Sequence, residues 1–385
     1  MPSLQDELVI KGMRMRNRLA LPPLTTNYGT DEGYVTDNII RFYEKRSRDV
    51  GLVIVEATSV RPDGRLVKGS LGLWEDAQVE GMRRLAHTIK NNGSAAVVQL
   101  NHAGARCYPT GGKLQGASPS GFAFNPQVQP LVMNQEHIDE MVYDFACAAA
   151  RAQKAGFDGV EVHGAHFYLI SQFLSPLTNQ RSDSYGGNAR ARARFAVQVV
   201  KAIKDKLGED FPVLFRINAL ENVEGGQSLD DSIAVSKLLA EAGVDILDVS
   251  VISQATWKEI DGRRYLLPAS AFPKDQPAGA NIPPTAKIRE AVGLPVIGVG
   301  KLGQGTVAAE SVNKSLIDMA AVGRQMIADP DTAGRLLAGM PEQITPCHER
   351  MSCFASIRKG EPLQCKVEVH LNLSRQKVCK WKAEN

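Results

Sequence analysis

The sequence predicts an α/β protein closed as a (β/α)8 TIM barrel with long loops at its C-terminal mouth, and three observations carry that expectation. Eight short apolar, β-branched runs recur along the 385 residues. Helix-like segments fill most of the gaps between them. Residues able to do chemistry collect where the runs stop, as they do at the carboxyl ends of barrel strands. An open doubly wound sheet is the runner-up. It normally carries a glycine-rich turn after its first strand, and here that turn is Pro22-Pro23.

The runs follow in order. Arg18-Leu19-Ala20-Leu21 is the first and stops at Pro22-Pro23. Gly51 to Val55 is the second, ending at Glu56-Ala57-Thr58, and Ala95 to Val98 the third, ending at Gln99-Leu100-Asn101-His102. Gly159 to Val162 is the fourth and runs into His163. Pro212 to Phe215 leads to Arg216-Ile217-Asn218, and Asp245 to Val249 is the sixth. Pro295 to Val299 ends at Gly300-Lys301, and Ile317 to Val322 at Gly323-Arg324. Between them, Glu136 to Lys154 is Ala-rich and periodic, with Asn134 placed to cap it. Phe195 to Leu207 and Ser232 to Ala242 read the same way. Ala155-Gly156 and Ala242-Gly243 suit glycine C-caps. Arg190, Arg192 and Arg194 read as a solvated helix start.

Three segments break the repeat. Ala103 to Pro130 and Ile252 to Pro284 both follow strand ends, so both are expected as loops shaping the mouth. The third, after Pro346, is a cysteine-bearing appendage.

Composition excludes several function classes. Hydrophobic residues are 43% and charged residues 23%, an ordinary globular balance. A net charge of +3 gives no argument for nucleic acid. Met1 to Leu8 lacks the apolar core of a signal peptide, and no run approaches the ~20 apolar residues that span a membrane. Six cysteines in this length suit a reducing, cytoplasmic setting. Homo-oligomerisation stays open.

The densest chemistry lies at the fourth strand end, where His163, His166 and Tyr168 follow one another. Three proton-handling side chains there suit a site that grips an oxygen atom and moves a proton. The two glycine turns after the seventh and eighth strands suit a phosphate, with Lys301 and Arg324 supplying positive charge. A competing reading binds zinc through His163, His166 and Glu161 or Glu56, which leaves Tyr168 and Arg216 without a task.

The stretch His163-Gly-Ala-His-Phe-Tyr-Leu-Ile-Ser-Gln-Phe-Leu-Ser-Pro-Leu-Thr-Asn-Gln-Arg-Ser-Asp-Ser-Tyr-Gly-Gly187 resembles the signature of the Old Yellow Enzyme family of FMN oxidoreductases. So do Arg16-Asn17-Arg18-Leu19 with Pro22-Pro23-Leu24-Thr25, Val55-Glu56-Ala57-Thr58, Gln99 to Gly104, and Ala321 to Arg324 with Asp329-Pro330. The resemblance implies an FMN-binding TIM barrel over residues 1–345 and a cysteine-containing extension over 346–385. It places Pro23, Leu24 and Thr25 along the flavin, Ala57 and Gln99 on the ring, Arg216 by N1 and O2, and Gly300, Lys301, Gly323 and Arg324 on the phosphate. It gives His163 and His166 the substrate's carbonyl oxygen and Tyr168 the proton donation.

The implied activity is an ene-reductase: NAD(P)H reduces a C=C bond conjugated to a carbonyl or nitro group in a small molecule. The alternative within the family is an amine dehydrogenase or N-demethylase, and a non-catalytic flavin carrier ranks lower. The chain departs from the family at Arg190-Ala191, where Glu-Asn is usual, and Arg106 comes one residue late and receives no role. The tail resembles a dienoyl-CoA-reductase-type linker in Cys353, Cys365 and Gly360-Glu361-Pro362. Cys347 fits with a one-residue shift, Arg350 stands near a ligand position, and Cys379 is remote, so no metal is expected.

Overall fold

The computed structural model of the chain describes residues 1–108, 114–116, 130–260, 262–349 and 351–368. All eight apolar runs are strands of one closed parallel barrel. In chain order they are β1 (Leu19–Leu21), β2 (Leu52–Ser59), β3 (Ala95–Asn101), β4 (Gly159–Gly164), β5 (Val213–Glu221), β6 (Ile246–Ile252), β7 (Val296–Val299) and β8 (Met319–Ala321). β8 closes on β1 through Ala320 opposite Leu19 and Ala321 opposite Ala20.

Several strands outrun their apolar stretch. β2 continues through Glu56, Thr58 and Ser59, and β5 through Arg216, Asn218 and Glu221, all of them buried. Apolarity stops there because the side chains change task, while the backbone ladder continues. Register shifts between Val55 and Thr58 and between Ser250 and Ile252 bend β2 and β6 where they reach the mouth.

Inward-facing Leu52, Ile54, Val97, Leu214, Ile246, Ile297 and Met319 fill the barrel together with Met13 and Met15. Those methionines lie in or beside an N-terminal hairpin, Leu8–Ile10 with Met13–Met15. Its three-residue strands are too short for any sequence periodicity to show. The outward-facing Val53, Val55, Val98, Val160 and Val162 pack against Phe145, Ile203 and Leu239 of the surrounding helices.

The helix Gln135–Lys154 is capped by Asn134, whose side chain accepts from His137 N at 2.9 Å. Ala155 ends it before Gly156, at φ +87°. The third expected helix begins earlier, at Leu229, because Ser228 is the capping residue. Ser232 is then inside the helix, bonded to Asn218 O and Gln227 Nε2. Arg192 corrects the reading of a solvated cluster: it is buried, donates to Leu174 O, and pairs with Asp231 at 3.0 Å.

The second expected mouth loop contains an antiparallel hairpin, Gln254–Ile260 with Arg263–Ala269. Trp257 and Ala255 turn to Phe167 and Leu266, which explains aromatic residues in a segment otherwise read as loop. Of the first mouth loop, a 3-10 turn at Gly104–Arg106 and a strand at Leu114–Gly116 are described. Most of the stretch 109–129 lies outside the described residues, as do Arg350 and Cys379.

The described part of the extension lies on the turn after β1. Leu363 N donates to Thr26 O at 2.8 Å and Tyr28 Oη to Leu363 O at 2.6 Å. Asn27 Nδ2 reaches Gly360 O and Glu361 O, both at 3.0 Å. Cys353, Ile357, Leu363 and Cys365 are buried in the main core. Arg46, 1% exposed, donates to Phe42 O, Met326 O and Ile327 O and pairs with Glu368 at 2.9 Å. Replacing Arg46 with Met strands these acceptors and leaves Glu368 only the more distant Lys45, at 4.0 Å. We expect a loss of about 3 kcal/mol, read as a lower urea midpoint at unchanged slope.

The same turn is held from below by Glu56. Its carboxylate accepts from Thr26 N and Thr26 Oγ1, both at 2.7 Å, while its own N–H donates to Tyr43 Oη. Burial pushes the carboxyl up to about 7, against the Thr26 bonds that pull it down. A folded value above the unfolded one means the linked stability is full below about 4.5 and lost as pH rises through about 7. Glu56→Gln keeps the neutral form at every pH. Its urea midpoint should therefore fall less than that of the wild type from about pH 5 to about pH 8. Glu221, also pushed up to about 7, titrates in both proteins and cancels from the difference.

Candidate active site

One cavity opens at the carboxyl ends of the strands. It brings together Pro23, Leu24, Thr25, Ala57, Gln99, His163, His166, Tyr168, Arg216, Gly300, Lys301, Gly323 and Arg324. Three polar residues near these strand ends face elsewhere. Thr26 turns to Glu56, His102 is buried 3.6 Å from Asp63, and Asn218 Oδ1 accepts from His166 N at 3.3 Å.

The chain leaves β4 without the helical turn that would stack His163 on His166. His166 and Phe167 instead take left-handed backbone, at φ +64° and +55°, and a helix starts only at Leu169. Phe167 is fully buried and its N–H donates to Ser171 Oγ, so packing on both sides holds this costly conformation. The result is a bonded chain of rings. His163 Nε2 lies 3.0 Å from His166 Nδ1, and His166 Nε2 lies 2.7 Å from Ser250 Oγ. Tyr168 sits edge-on to His163, ring centroids 4.8 Å apart. Arg106 lies 4.8 Å over the Tyr168 ring and donates to His166 O. Burial, then the positive charge of Arg216, pushes both histidines well below their ordinary value. Each is a neutral imidazole near pH 7, with one N–H to give.

On the barrel side, Gln99 Nε2 donates to Glu161 Oε1 at 2.8 Å, and Arg216 Nη1 stands 3.4 Å from Asp248 Oδ2. Glu161 and Glu56, the carboxylates considered for zinc, are thus bonded to Gln99 and Thr26. At the opposite end, Gly300 has φ +140°, and a Cβ there would meet Phe272 at 3.1 Å. The Lys301 ammonium donates to Lys274 O and Gln276 O and pairs with Glu349 at 3.0 Å. Arg324 Nη1 reaches Met351 Sδ at 3.2 Å.

Sequence reasoning left out Ser250, Arg106, Asp248, Glu349 and Phe354. Ser250 and Asp248 sit in the sixth strand, whose end showed no polar cluster to notice. Glu349 and Phe354 arrive from the extension, and only the fold brings them to the mouth.

The cavity has the chemistry that FMN requires. Arg216 Nε is buried beside it with no hydrogen-bond partner among the described residues, as suits a ligand that brings acceptor atoms. Apolar Pro23, Leu24 and Ala57 suit a ring face, and the glycine turns with Arg324 suit a phosphate. The residues fit the group.

Residues 4–343 match the model of the NADH:flavin oxidoreductase / NADH oxidase family. An NADH oxidase of Thermoanaerobacter brockii is 36% identical over 369 residues, 94% of this chain and 54% of that protein. The chain therefore spans about half the length of that relative. An NADPH dehydrogenase of Halalkalibacterium halodurans is 34% identical over 330 residues, 85% of this chain and 91% of the relative. The solved structure of the Old Yellow Enzyme homologue of Zymomonas mobilis shares the fold, with a TM-score of 0.76 at 24% identity, covering 95% of this chain and 98% of that one. FMN is accordingly the cofactor. The chain belongs to the NADH:flavin oxidoreductase / NADH oxidase family, the FMN-dependent oxidoreductases of the Old Yellow Enzyme type.

Proposed function

We propose that the chain reduces the C=C bond of α,β-unsaturated carbonyl or nitro compounds at the expense of NAD(P)H. The observation that carries this reading is the bonded set Ser250, His166 and His163 with Tyr168 against it, on the wall of the cavity that suits FMN. Bound FMN supplies the hydride relay from NAD(P)H to the substrate's β-carbon.

Pro23, Leu24 and Ala57 would offer the ring an apolar surface, with Thr25, Gln99 and Arg216 as its polar contacts. Gly300, Gly323 and Arg324 would hold the phosphate. Lys301 contributes through its main chain, since its ammonium already serves Glu349 and two carbonyls.

The ring chain sets where protons sit. With Ser250 Oγ–H donating to His166 Nε2, the His166 proton is on Nδ1 and points to His163 Nε2. The remaining proton is then on His163 Nδ1, which no protein atom receives. That N–H donates to the substrate oxygen as negative charge grows on it, an effect worth ~3–4 kcal/mol per donor. The Tyr168 hydroxyl gives its proton to the α-carbon, and the Arg106 guanidinium over the ring stabilises the phenolate left behind.

Denaturing release followed by chromatography should recover non-covalent FMN. Recovery of FAD, or of no flavin after reconstitution, contradicts the reading. Tyr168→Phe should keep FMN content and reduction by NAD(P)H, while the half-reaction with a cyclic enone slows ~10²-fold or more. An unchanged enone half-reaction removes Tyr168 as donor and directs the assay to amine oxidation.

His163→Ala and His166→Ala should both weaken the binding of phenols, which mimic an enolate, as followed by the flavin charge-transfer band. Wild-type phenol affinity in both variants takes the pair out of the site.

A further inference from the structure

The mechanism above gives no task to two carboxyl groups beneath the cavity. Glu161 on β4 and Asp248 on β6 are both fully buried. Strand register brings their neighbours to them: Gln99 lies opposite Glu161, and Arg216 lies opposite both His163 and Asp248. Register thus sets Gln99 and Arg216 beside the pair, with the neutral His163 next to Arg216. Gln99 satisfies Glu161 Oε1 at 2.8 Å. Arg216 Nη1 approaches Asp248 Oδ2, at 3.4 Å, without a well-formed hydrogen bond. With both acids ionised, Glu161 Oε2 and both Asp248 oxygens have no donor among the described residues, and both side chains are shut off from water.

A single proton resolves this. Placed on Glu161 Oε2 and directed at Asp248, it supplies the missing donor and leaves Asp248 as the one anion facing Arg216. Burial raises both carboxyls. The charge of Asp248 raises Glu161 further, while Arg216 and the bond from Glu161 lower Asp248. Buried like charges that cannot both ionise behave in this way.

We propose that Glu161 and Asp248 form a one-proton pair that sets how much of the Arg216 positive charge reaches the flavin, and so how easily bound FMN is reduced. The proposal rests on the reading that Arg216 faces the ring. Both acids are positioning residues, since they act through Arg216.

Potentiometric titration of the holoenzymes tests it. Asp248→Asn removes the compensating anion, so Arg216 stabilises the negative charge gained on reduction, and the midpoint potential should move positive at neutral pH. Glu161→Gln retains a donor toward Asp248 and should stay near the wild-type potential. In the infrared, Glu161→Gln should lose one carboxylic-acid C=O band that the wild type shows at neutral pH. An Asp248→Asn potential at or below that of the wild type overturns the proposal. So does a Glu161→Gln variant whose potential moves positive as far as that of Asp248→Asn, or one that keeps every acid band. The infrared band is read equally well on protein stripped of flavin. Its presence in a chain that refuses FMN would show the pair sound and the flavin reading wrong. If Asp248→Asn cannot hold FMN, the band alone decides.

Discussion

Everything at the mouth depends on the joining of β8 to β1. That pairing is only two residues deep, Ala320 on Leu19 and Ala321 on Ala20, yet it converts a row of strands into a ring. Closure makes the eight carboxyl ends converge, and convergence alone brings Thr25, Gln99, His163, Arg216, Gly300 and Gly323 to one cavity. No two of those residues come from the same strand end. The Cβ-free Gly323 lies where a side chain would press on Pro22 and Leu24, so the seam itself needs a small residue.

A second constraint follows from closing a dry ring around charge. Glu56, Glu161, Glu221, Arg216 and Asp248 are all buried on barrel strands, and each is held by a partner on a neighbouring element or a neighbouring acid. Such groups neutralise or pair before they tolerate burial. The neutral histidines obey the same rule. The site thus offers weak, directed donors instead of free charges, as suits charge that appears only during reaction.

The barrel was legible because each strand carries an apolar run and each gap a periodic helix, two signals that local sequence preserves. The candidate flavin and proton-handling residues could be picked out as a set because they lie at or just past the ends of those runs, and one cavity gathers them. What was hidden has physical reasons too. The hairpin with Met13 and Met15 has strands of three residues, below any period. The left-handed pair His166 and Phe167 is imposed by burial of Phe167 and by Asn218, over fifty residues away in sequence. Arg192 looked solvated because its partner Asp231 belongs to another helix. Ser250 carries no mark of its own and matters only through the ring that meets it.

The clasp between residues 360–363 and the turn after β1 has a consequence for how the protein is made. Synthesis proceeds from the N-terminus at roughly 5–20 residues per second, so the strand that closes the ring follows its partner by roughly 15–60 seconds. For that interval β1 is an unpaired edge with half its neighbours still to be translated. The turn bearing Thr25 and Thr26 waits longer, until the clasping segment has also left the ribosome. Folding on the ribosome can therefore build helices and pair β2 with β3 early, but a finished flavin site must wait until residues 360–363 have been made.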